Sequence, residues 1–381
     1  MYILLLLFFN VLCITGCKEN ESRIRTSNRA IVFGLAIEKK EDTYIGYTQN
    51  ISYTKGGEEK AYSYEIVEVK AGTIYELLDN LLVLNQKSTL WKHLQVLIVH
   101  ESIANHDLII FSEYFERNPQ FPITFGVVYT EDKLNDLLET TSGTFPIPAM
   151  SIQNLLFEQT LGQYALPIRF FEIMREVETP FHDYYLPVIE LKNKELRLSG
   201  TAVFKDHEFA GKLNEQDTQN VKRLIEKPEN TWQIFSYQPT SSPEDVQLAT
   251  RIEHSRVKMV VHLEYNLPSI HIELNEKFKI ETHAPIQDLT AEDITHIEKA
   301  YNKQVEEELQ ATIHQVQKEW NANILGFADL VARQQPQYWK AHKQEWNDIY
   351  RELKVEVRVT SELTHTGLTR RFSPKITEEE S

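Results

Sequence analysis

The sequence predicts an α+β protein of more than one domain: a mixed α/β N-terminal part, then an antiparallel-rich sheet packed against one long helix. Three observations carry this expectation. Strand-like and helix-like segments alternate from Ala30 to Leu138. Three strand candidates follow one another between Arg251 and Ile280 with no helix between them. From Asp293 to Asn321 the apolar residues Ile294, Ile297, Tyr301, Val305, Leu309, Ile313, Val316 and Trp320 recur at spacings of three and four, one stripe of a helix. Glu298, Glu306, Glu307 and Lys318 fall off that stripe, so it is expected to be the face laid on a sheet.

The chain opens with an apolar run that has no charged side chain from Tyr2 to Gly16 and ends Ile14-Thr15-Gly16-Cys17. It is shorter than the roughly 20 residues a membrane-spanning helix needs. Small residues closing on a cysteine read as a bacterial lipoprotein signal, with cleavage before Cys17 and diacylation of its thiol. A plain secretory signal and a retained anchor are the alternatives, and no Lys or Arg opens the run as export signals ordinarily require. Residues 1–16 are thus expected to be the signal and 17–29 a polar tether.

Residues 30–195 are expected to form the N-terminal domain. Strands are predicted at 30–37, at 44–53 up to Lys55-Gly56-Gly57, and at 62–69. Thr73 caps a helix through Leu77, Leu78, Leu81 and Leu82. The unbroken apolar run 94–99 predicts a strand buried on both faces. An amphipathic segment at 103–115, a strand at 121–129 and a helix from Lys133 follow. Phe145-Pro146-Ile147-Pro148 breaks the pattern before a helical stretch at 152–174, interrupted near Pro167.

Residues 196–372 are assigned to the C-terminal domain and 373–381 to an acidic tail. Strands are predicted at 185–189, 196–198, 201–204, 251–257, 258–266 and 270–280, with the most linker-like stretch at 240–245. After the long helix, a second helix around Trp339, Trp346 and Tyr350 precedes an alternating strand at 354–360.

Composition narrows the function. Both cysteines, Cys13 and Cys17, lie in the opening segment, which excludes a disulfide framework, a cysteine zinc site and a cysteine nucleophile in the folded part. A net charge of -16 and the lack of a basic, aromatic-interleaved cluster argue against nucleic-acid binding. His100-Glu101 with His106 lacks the i, i+4 histidine spacing of a helical metal site. His254, His262 and His271 fall on different strand candidates, so a shared metal would need them to converge. There is no G-x-S-x-G elbow, no P-loop and no G-x-G-x-x-G. Glu292-Asp293 sit at a helix start, where they complement the dipole. Neither catalysis nor a cofactor is expected.

Several stretches do carry a signature. They are Trp91-Lys92-His93-Leu94-Gln95-Val96-Leu97-Ile98-Val99 with Glu101-Ser102-Ile103-Ala104, and Phe115-Glu116-Arg117-Asn118. Tyr185-Leu186-Pro187 leads to Leu198-Ser199-Gly200-Thr201-Ala202-Val203-Phe204-Lys205 and Gly211-Lys212-Leu213. Later come Asn323-Ile324-Leu325-Gly326-Phe327-Ala328-Asp329, Pro336, Trp339 and Trp346. Over nearly the whole chain after Cys17 this resembles the Ger(x)C family of spore germination lipoproteins, the C subunits of germinant receptors. The sequence departs from the family in lacking a tryptophan in 19–29, in having Asn323 where aspartate is common, and in having Gln334-Gln335-Pro336 for a more basic run.

The resemblance implies a lipid-anchored, non-enzymatic subunit on the outer face of the spore inner membrane, beside integral membrane subunits, taking part in nutrient-triggered germination. It also implies that the small-molecule germinant binds elsewhere than on this subunit. The rival reading is an autonomous solute-binding lipoprotein that delivers a ligand to a transporter. Within the motifs, Gly200 and Gly211 are expected to permit a turn or a close approach. Phe204 and Leu213 are expected to fill the core beneath them. Gly326 is expected to end the long helix in the left-handed conformation. Trp339 and Trp346, seven apart, are expected to share one helical face, as core or as a docking patch.

Overall fold

The structure is a computed structural model that describes residues 29–53, 62–84, 87–103, 107–141, 145–158, 164–225, 231–238, 245–265, 267–281 and 291–365. Cys17, the opening apolar run, the tether as far as residue 28 and the acidic tail lie outside the described residues, and Arg29 already belongs to the first strand. The first three strands, β1 (Arg29–Lys40), β2 (Thr43–Tyr53) and β3 (Tyr62–Ala71), form an antiparallel meander. Helix α1 (Ile74–Leu82) follows, and the Thr73 hydroxyl accepts from the Glu76 N–H at 3.2 Å, the cap expected from sequence.

The chain continues through β4 (Val83–Leu84), β5 (Lys87–Leu90), β6 (Val96–His100), α2 (Asp107–Arg117), β7 (Gly126–Thr130), α3 (Leu134–Glu139), α4 (Pro148–Phe157) and α5 (Phe170–Glu178). Strands β8 (Tyr184–Lys192), β9 (Glu195–Lys205) and β10 (Glu208–Leu213) complete a ten-stranded sheet. Its main path is β10-β9-β8-β7-β6-β1-β2-β3, with β5 pairing β1 and β4. The middle of the sheet, β8-β7-β6-β1, is parallel, and both ends turn antiparallel.

Helices cover both faces of that parallel centre. Leu97 and Val99 point to one side, with Leu77 of α1, Phe111 and Phe115 of α2 and Phe170 of α5. Val96 and Ile98 point to the other, with Leu137 of α3 and Ile152 of α4. Residues 96–99 are fully buried, which is why this strand reads as an unbroken apolar run. The helical stretch expected at 152–174 is two helices. Pro148 occupies the first turn of α4, where its missing N–H costs nothing, and α5 begins beyond Pro167.

The second sheet is smaller. After α6 (Glu215–Ile225) come β11 (Trp232–Tyr237), β12 (Val246–Glu264) and β13 (Leu267–Ile280), all antiparallel. The long helix α7 (Ala291–His314) runs into a π-turn, Gln315–Glu319, then α8 (Phe327–Gln334), α9 (Pro336–His342) and α10 (Trp346–Glu352). Strand β14 (Lys354–His365) closes the order β11-β12-β13-β14, parallel to β13. The strands expected at 251–257 and 258–266 are one element, β12, bent at a bulge between Ile252 and His254. The predicted stripe is the inner face of α7: Ile297, Tyr301, Val305, Leu309 and Ile313 are buried, and Val316 continues it into the π-turn.

The charges off the stripe have a use that spacing alone does not suggest. Glu306 accepts the Val359 N–H at 2.7 Å, Glu298 accepts the Leu363 N–H at 2.9 Å, and Gln310 donates to the Val355 carbonyl at 3.4 Å. Eight residues of helix rise about 12 Å, and four residues of strand span about 13 Å. The Glu298–Glu306 and Leu363–Val359 spacings match, so these two carboxylates of α7 cap the outer edge of β14 as a partner strand would. Gln334 does the same on β12. Its amide accepts from the Val261 N–H at 2.8 Å and donates to the Met259 carbonyl at 2.9 Å, beyond the end of β11.

Beneath α7 lies a buried polar cluster. Arg223 of α6 donates to Glu276 of β13 at 3.2 Å, to Asn220 at 2.9 Å and to Gln233 of β11. Glu276 also accepts from Tyr301 at 2.6 Å and Ser255 at 3.1 Å. Burial alone would lower the Arg223 pKa, but Glu276, Tyr301 and Glu308 outweigh it, so the guanidinium stays charged.

Two expectations need correction. Gly326 is left-handed (φ 70°), but it stands at the start of α8 and does not end the long helix. That end is made at the π-turn, with Asn321 left-handed (φ 51°) and the Ala322 N–H bonded to the Val316 carbonyl at 2.8 Å. Asparagine tolerates this conformation, so the glycine was not needed there. Trp339 and Trp346 do not share one helix face either, because a 3₁₀ turn at Lys343–Glu345 separates α9 from α10. The chain turns there and brings the two rings to 5.0 Å in an edge-to-face contact.

Candidate functional site

The most connected polar site joins the end of the first sheet to the segment that leaves the long helix. Its local geometry starts at the end of α5. The Thr179 hydroxyl and N–H both return to the Arg175 carbonyl, at 2.6 and 3.1 Å, and Pro180 cannot continue a helix. Phe181 then turns left-handed (φ 65°), which carries His182 back beneath α5.

Asp183, next in sequence, is buried and anchors two segments far from it in the chain. Its Oδ1 accepts the Asp206 N–H at 3.1 Å in the β9–β10 turn, and its Oδ2 accepts the Asn323 N–H at 2.7 Å. Lys205 lies 3.5 Å away and balances the charge. Asn323 uses the rest of its capacity as well. Its amide donates to the Phe181 carbonyl at 2.6 Å, and its oxygen accepts the Phe327 N–H at 3.2 Å at the start of α8. An aspartate at 323 could not make the donor bond, so the departure from the family pattern suits this junction.

His182 stands beside this knot between two carboxylates from opposite sides. Its Nδ1 is 2.7 Å from Glu176 of α5, and its Nε2 is 3.0 Å from Asp329 of α8. The second contact is an ion pair by distance, off the line of the ring N–H. The hydrogen bond with Glu176 holds the His182 pKa above its ordinary 6.5, against desolvation and helped by Asp329. For Glu176, burial pushes the pKa up, but His182 and Arg175 outweigh it and hold the carboxyl below its usual range.

A cleft of about 420 Å³ opens here between Glu172, Arg175, Tyr185, Met259, Ile324 and Arg333. Its polar groups are largely engaged with one another, an arrangement suited to holding two parts together.

The motif residues expected from sequence lie along β9 and β10 and in the segment after the long helix. Gly200 (φ 116°) lies in β9, where a Cβ would sit 2.1 Å from the Leu213 carbonyl oxygen. Gly211 lies at the bulge in β10, where a Cβ would meet the Trp320 ring at 2.3 Å. The glycines therefore serve close approach, and the Gly211–Trp320 contact ties the first sheet to the residue that closes the π-turn. Phe204 is buried against Tyr184 at 5.0 Å, and Leu213 is buried in the second core. Trp339 meets Phe181 at 5.5 Å and Trp346, so the pair forms part of the same seam.

Phe181, His182 and Asp183 were not singled out from sequence. Asp183 and Asn323 are 140 residues apart, and no spacing rule links them. The only local signal is Thr179-Pro180, which marks a helix stop.

The histidines weighed for a metal do not gather. His262 and His271 meet at 4.6 Å, while His254 pairs with Lys277 further along the hairpin. Among the described residues there is no group of three or more His, Cys, Asp or Glu suited to a metal ion. Gln334-Gln335 likewise bond to β12, Gln335 reaching the Val261 carbonyl at 3.4 Å.

The fold and this seam define a two-sheet α/β protein whose halves are locked by motif residues, and comparison with known proteins places it. Residues 22–191 match the family described as spore germination protein N-terminal domain, and residues 199–367 match spore germination B3/GerAC like, C-terminal. The chain belongs to this GerAC-like C-subunit family of spore germination proteins.

Among its relatives is spore germination protein KC of Bacillus subtilis (strain 168), 21% identical over 396 residues with 95% of each chain covered. Another is spore germination protein GerQC of Bacillus cereus, 25% identical over 278 residues, covering 72% of this chain and 75% of the relative. The crystal structure of the GerBC protein has the same fold, with a TM-score of 0.56, 15% identity, and 87% and 96% of the two chains covered. No helix among the described residues is long and apolar enough to cross a membrane.

Proposed function

We propose that this chain is a lipid-anchored, non-enzymatic subunit of a membrane germinant receptor and takes part in nutrient-triggered spore germination. The observation that carries this is membership of the GerAC-like family through both halves of the chain. The opening segment supports the anchor: an uncharged apolar run closes on Thr15-Gly16-Cys17, and acylation at Cys17 would hold the protein at the outer face of the spore inner membrane. Two acyl chains bind a bilayer stably where one does not. Tethering raises the effective concentration of the subunit near integral membrane partners, which favours contacts too weak to persist in solution.

The test is affinity purification from detergent-solubilised spore membranes with mass spectrometry of the co-purifying proteins. Recovery of polytopic membrane subunits with an acylated Cys17 peptide is the expected result. Recovery with transporter components alone would favour the solute-binding reading, and a peptide retaining Ile14-Thr15-Gly16 would overturn the anchor.

A further inference from the structure

We propose that His182 is a proton-dependent clasp between the two halves of the chain. As an imidazolium it engages Glu176 of the first half and Asp329 of the second together, and as a neutral imidazole it releases Asp329. The inference rests on the geometry of the seam and is independent of the receptor reading.

The chemistry is one of counting protons. A neutral imidazole has one N–H, whereas the two carboxylates lie 2.7 and 3.0 Å from its two nitrogens. Only the doubly protonated ring can face both favourably. The side chain is 10% exposed, so water cannot readily replace a lost partner.

The two contacts are unequal. Glu176 is 21% exposed and well aligned, while Asp329 is 62% exposed and meets the ring off its N–H direction. On deprotonation the single remaining proton therefore stays with Glu176. Arg333, one turn along α8, is the cation to which a released Asp329 turns.

The other charges around the ring do not supply a substitute. On α5, Arg175 is bonded to Glu176 at 2.9 Å, and Glu172 accepts the Arg169 N–H at 2.8 Å. Asp183 is held by Asn323 and Lys205, and Asp206 pairs with Lys205 at 3.1 Å. Tyr185 of β8 lines the same cleft.

The pH dependence has a definite sign. The pKa of His182 is raised, so its stabilisation is complete below 6.5 and is lost as pH rises through the folded-state value. The pKa of Glu176 is lowered, so its share is present above 4.5 and is lost as pH falls through its folded-state value. The clasp is closed in mildly acidic solution and opens on the alkaline side. Release removes one of two side-chain ties on the first turn of α8, leaving the Asn323 cap on the Phe327 N–H, and the far end of α8 holds the β12 edge through Gln334.

The experiment uses the full chain in detergent with ring-¹⁵N-labelled histidine, followed by NMR from about pH 5 to about pH 9. His182 is assigned by the signal missing in His182→Gln. The expected result is a ring protonated at both nitrogens in acid, with a titration midpoint above 6.5 that falls in Asp329→Asn. Hydrogen exchange at the Leu330 amide of α8, corrected for intrinsic rate, should rise through the same midpoint and lose that step in Asp329→Asn.

A midpoint at or below 6.5, or one that Asp329→Asn does not move, would overturn the clasp. Should His182→Gln fail to fold, the signal moved by Asp329→Asn identifies the residue, and the absence of any moved signal counts against the proposal.

Discussion

The two sheets solve the same problem by different means. The parallel centre of the first, β8-β7-β6-β1, is covered by helices on both faces, and its strand β6 is apolar throughout. The second has four strands and one long helix laid on it, with a charged pair in its core and its edges finished by side chains. Hydrophobic burial is non-directional and tolerates similar shapes, whereas buried charges and edge caps depend on particular atoms. Single polar substitutions should therefore hurt the second half more than conservative apolar ones hurt the first.

The largest effect should come from Arg223→Met. It leaves Glu276 buried beside Tyr301 and Ser255 without its cation, which costs about 3–5 kcal/mol. Ile98→Val, at the centre of the first sheet, should cost only about 0.5–1.5 kcal/mol. Pairing Arg223→Met with Glu276→Leu should restore much of the loss, since both charges are then gone. Denaturant unfolding of the three variants checks the comparison. Equal losses for Arg223→Met and Ile98→Val would remove the distinction between the halves.

Next in size is Asn323→Asp, at the seam where the halves meet. It deletes the donor to the Phe181 carbonyl and sets a second carboxylate beside buried Asp183, with an expected cost of about 1–3 kcal/mol. The new carboxyl is disfavoured as an anion, so its pKa rises on folding and the penalty should shrink as the pH is lowered. Thermal melts at neutral and acid pH read this directly. A penalty that grows in acid would mean that Asn323 acts through something other than its donor.

These contrasts explain what could be read in advance. The α7 stripe, strand β6 and the Thr73 cap were legible because each depends on neighbours within one element. The Asp183–Asn323 knot and the His182–Asp329 contact were not, since their partners lie far apart in sequence and carry no periodic signal. Gly200 and Gly211 stood out as residues, yet their reasons are distant: the Leu213 backbone for one and the Trp320 ring for the other. Gly326 was read into the wrong element because glycine is the default left-handed residue, and here Asn321 ends the long helix instead.

The glycines should themselves rank by what a methyl group would meet. Gly200→Ala forces a Cβ against a backbone carbonyl at a strained φ, and Gly211→Ala presses a Cβ on a movable tryptophan ring. Overpacking costs about 1–3 kcal/mol, so Gly200→Ala should lie at or above the top of that range and Gly211→Ala near its middle. Gly326→Ala meets nothing within 4 Å and should cost only the left-handed penalty of about 1–2 kcal/mol. A larger loss in melting temperature for Gly211→Ala than for Gly200→Ala would show that the seam yields less easily than the β9–β10 hairpin.

Among the polar substitutions the smallest effect on stability should belong to Glu306→Ala, and it is the one that probes the edges. Glu306 bonds a strand N–H that faces outward, so its removal lets water replace the carboxylate at a cost of about 1 kcal/mol. What changes is accessibility, because an uncapped edge is a template for pairing with another chain. The Glu298→Ala/Glu306→Ala double variant should therefore lose little in thermal melts. It should exchange the Val359 and Leu363 amides faster and self-associate more in sedimentation velocity. If both amides remain as protected as in the parent chain, the match between the helix and strand repeats is a coincidence of spacing, and β14 is covered by other means.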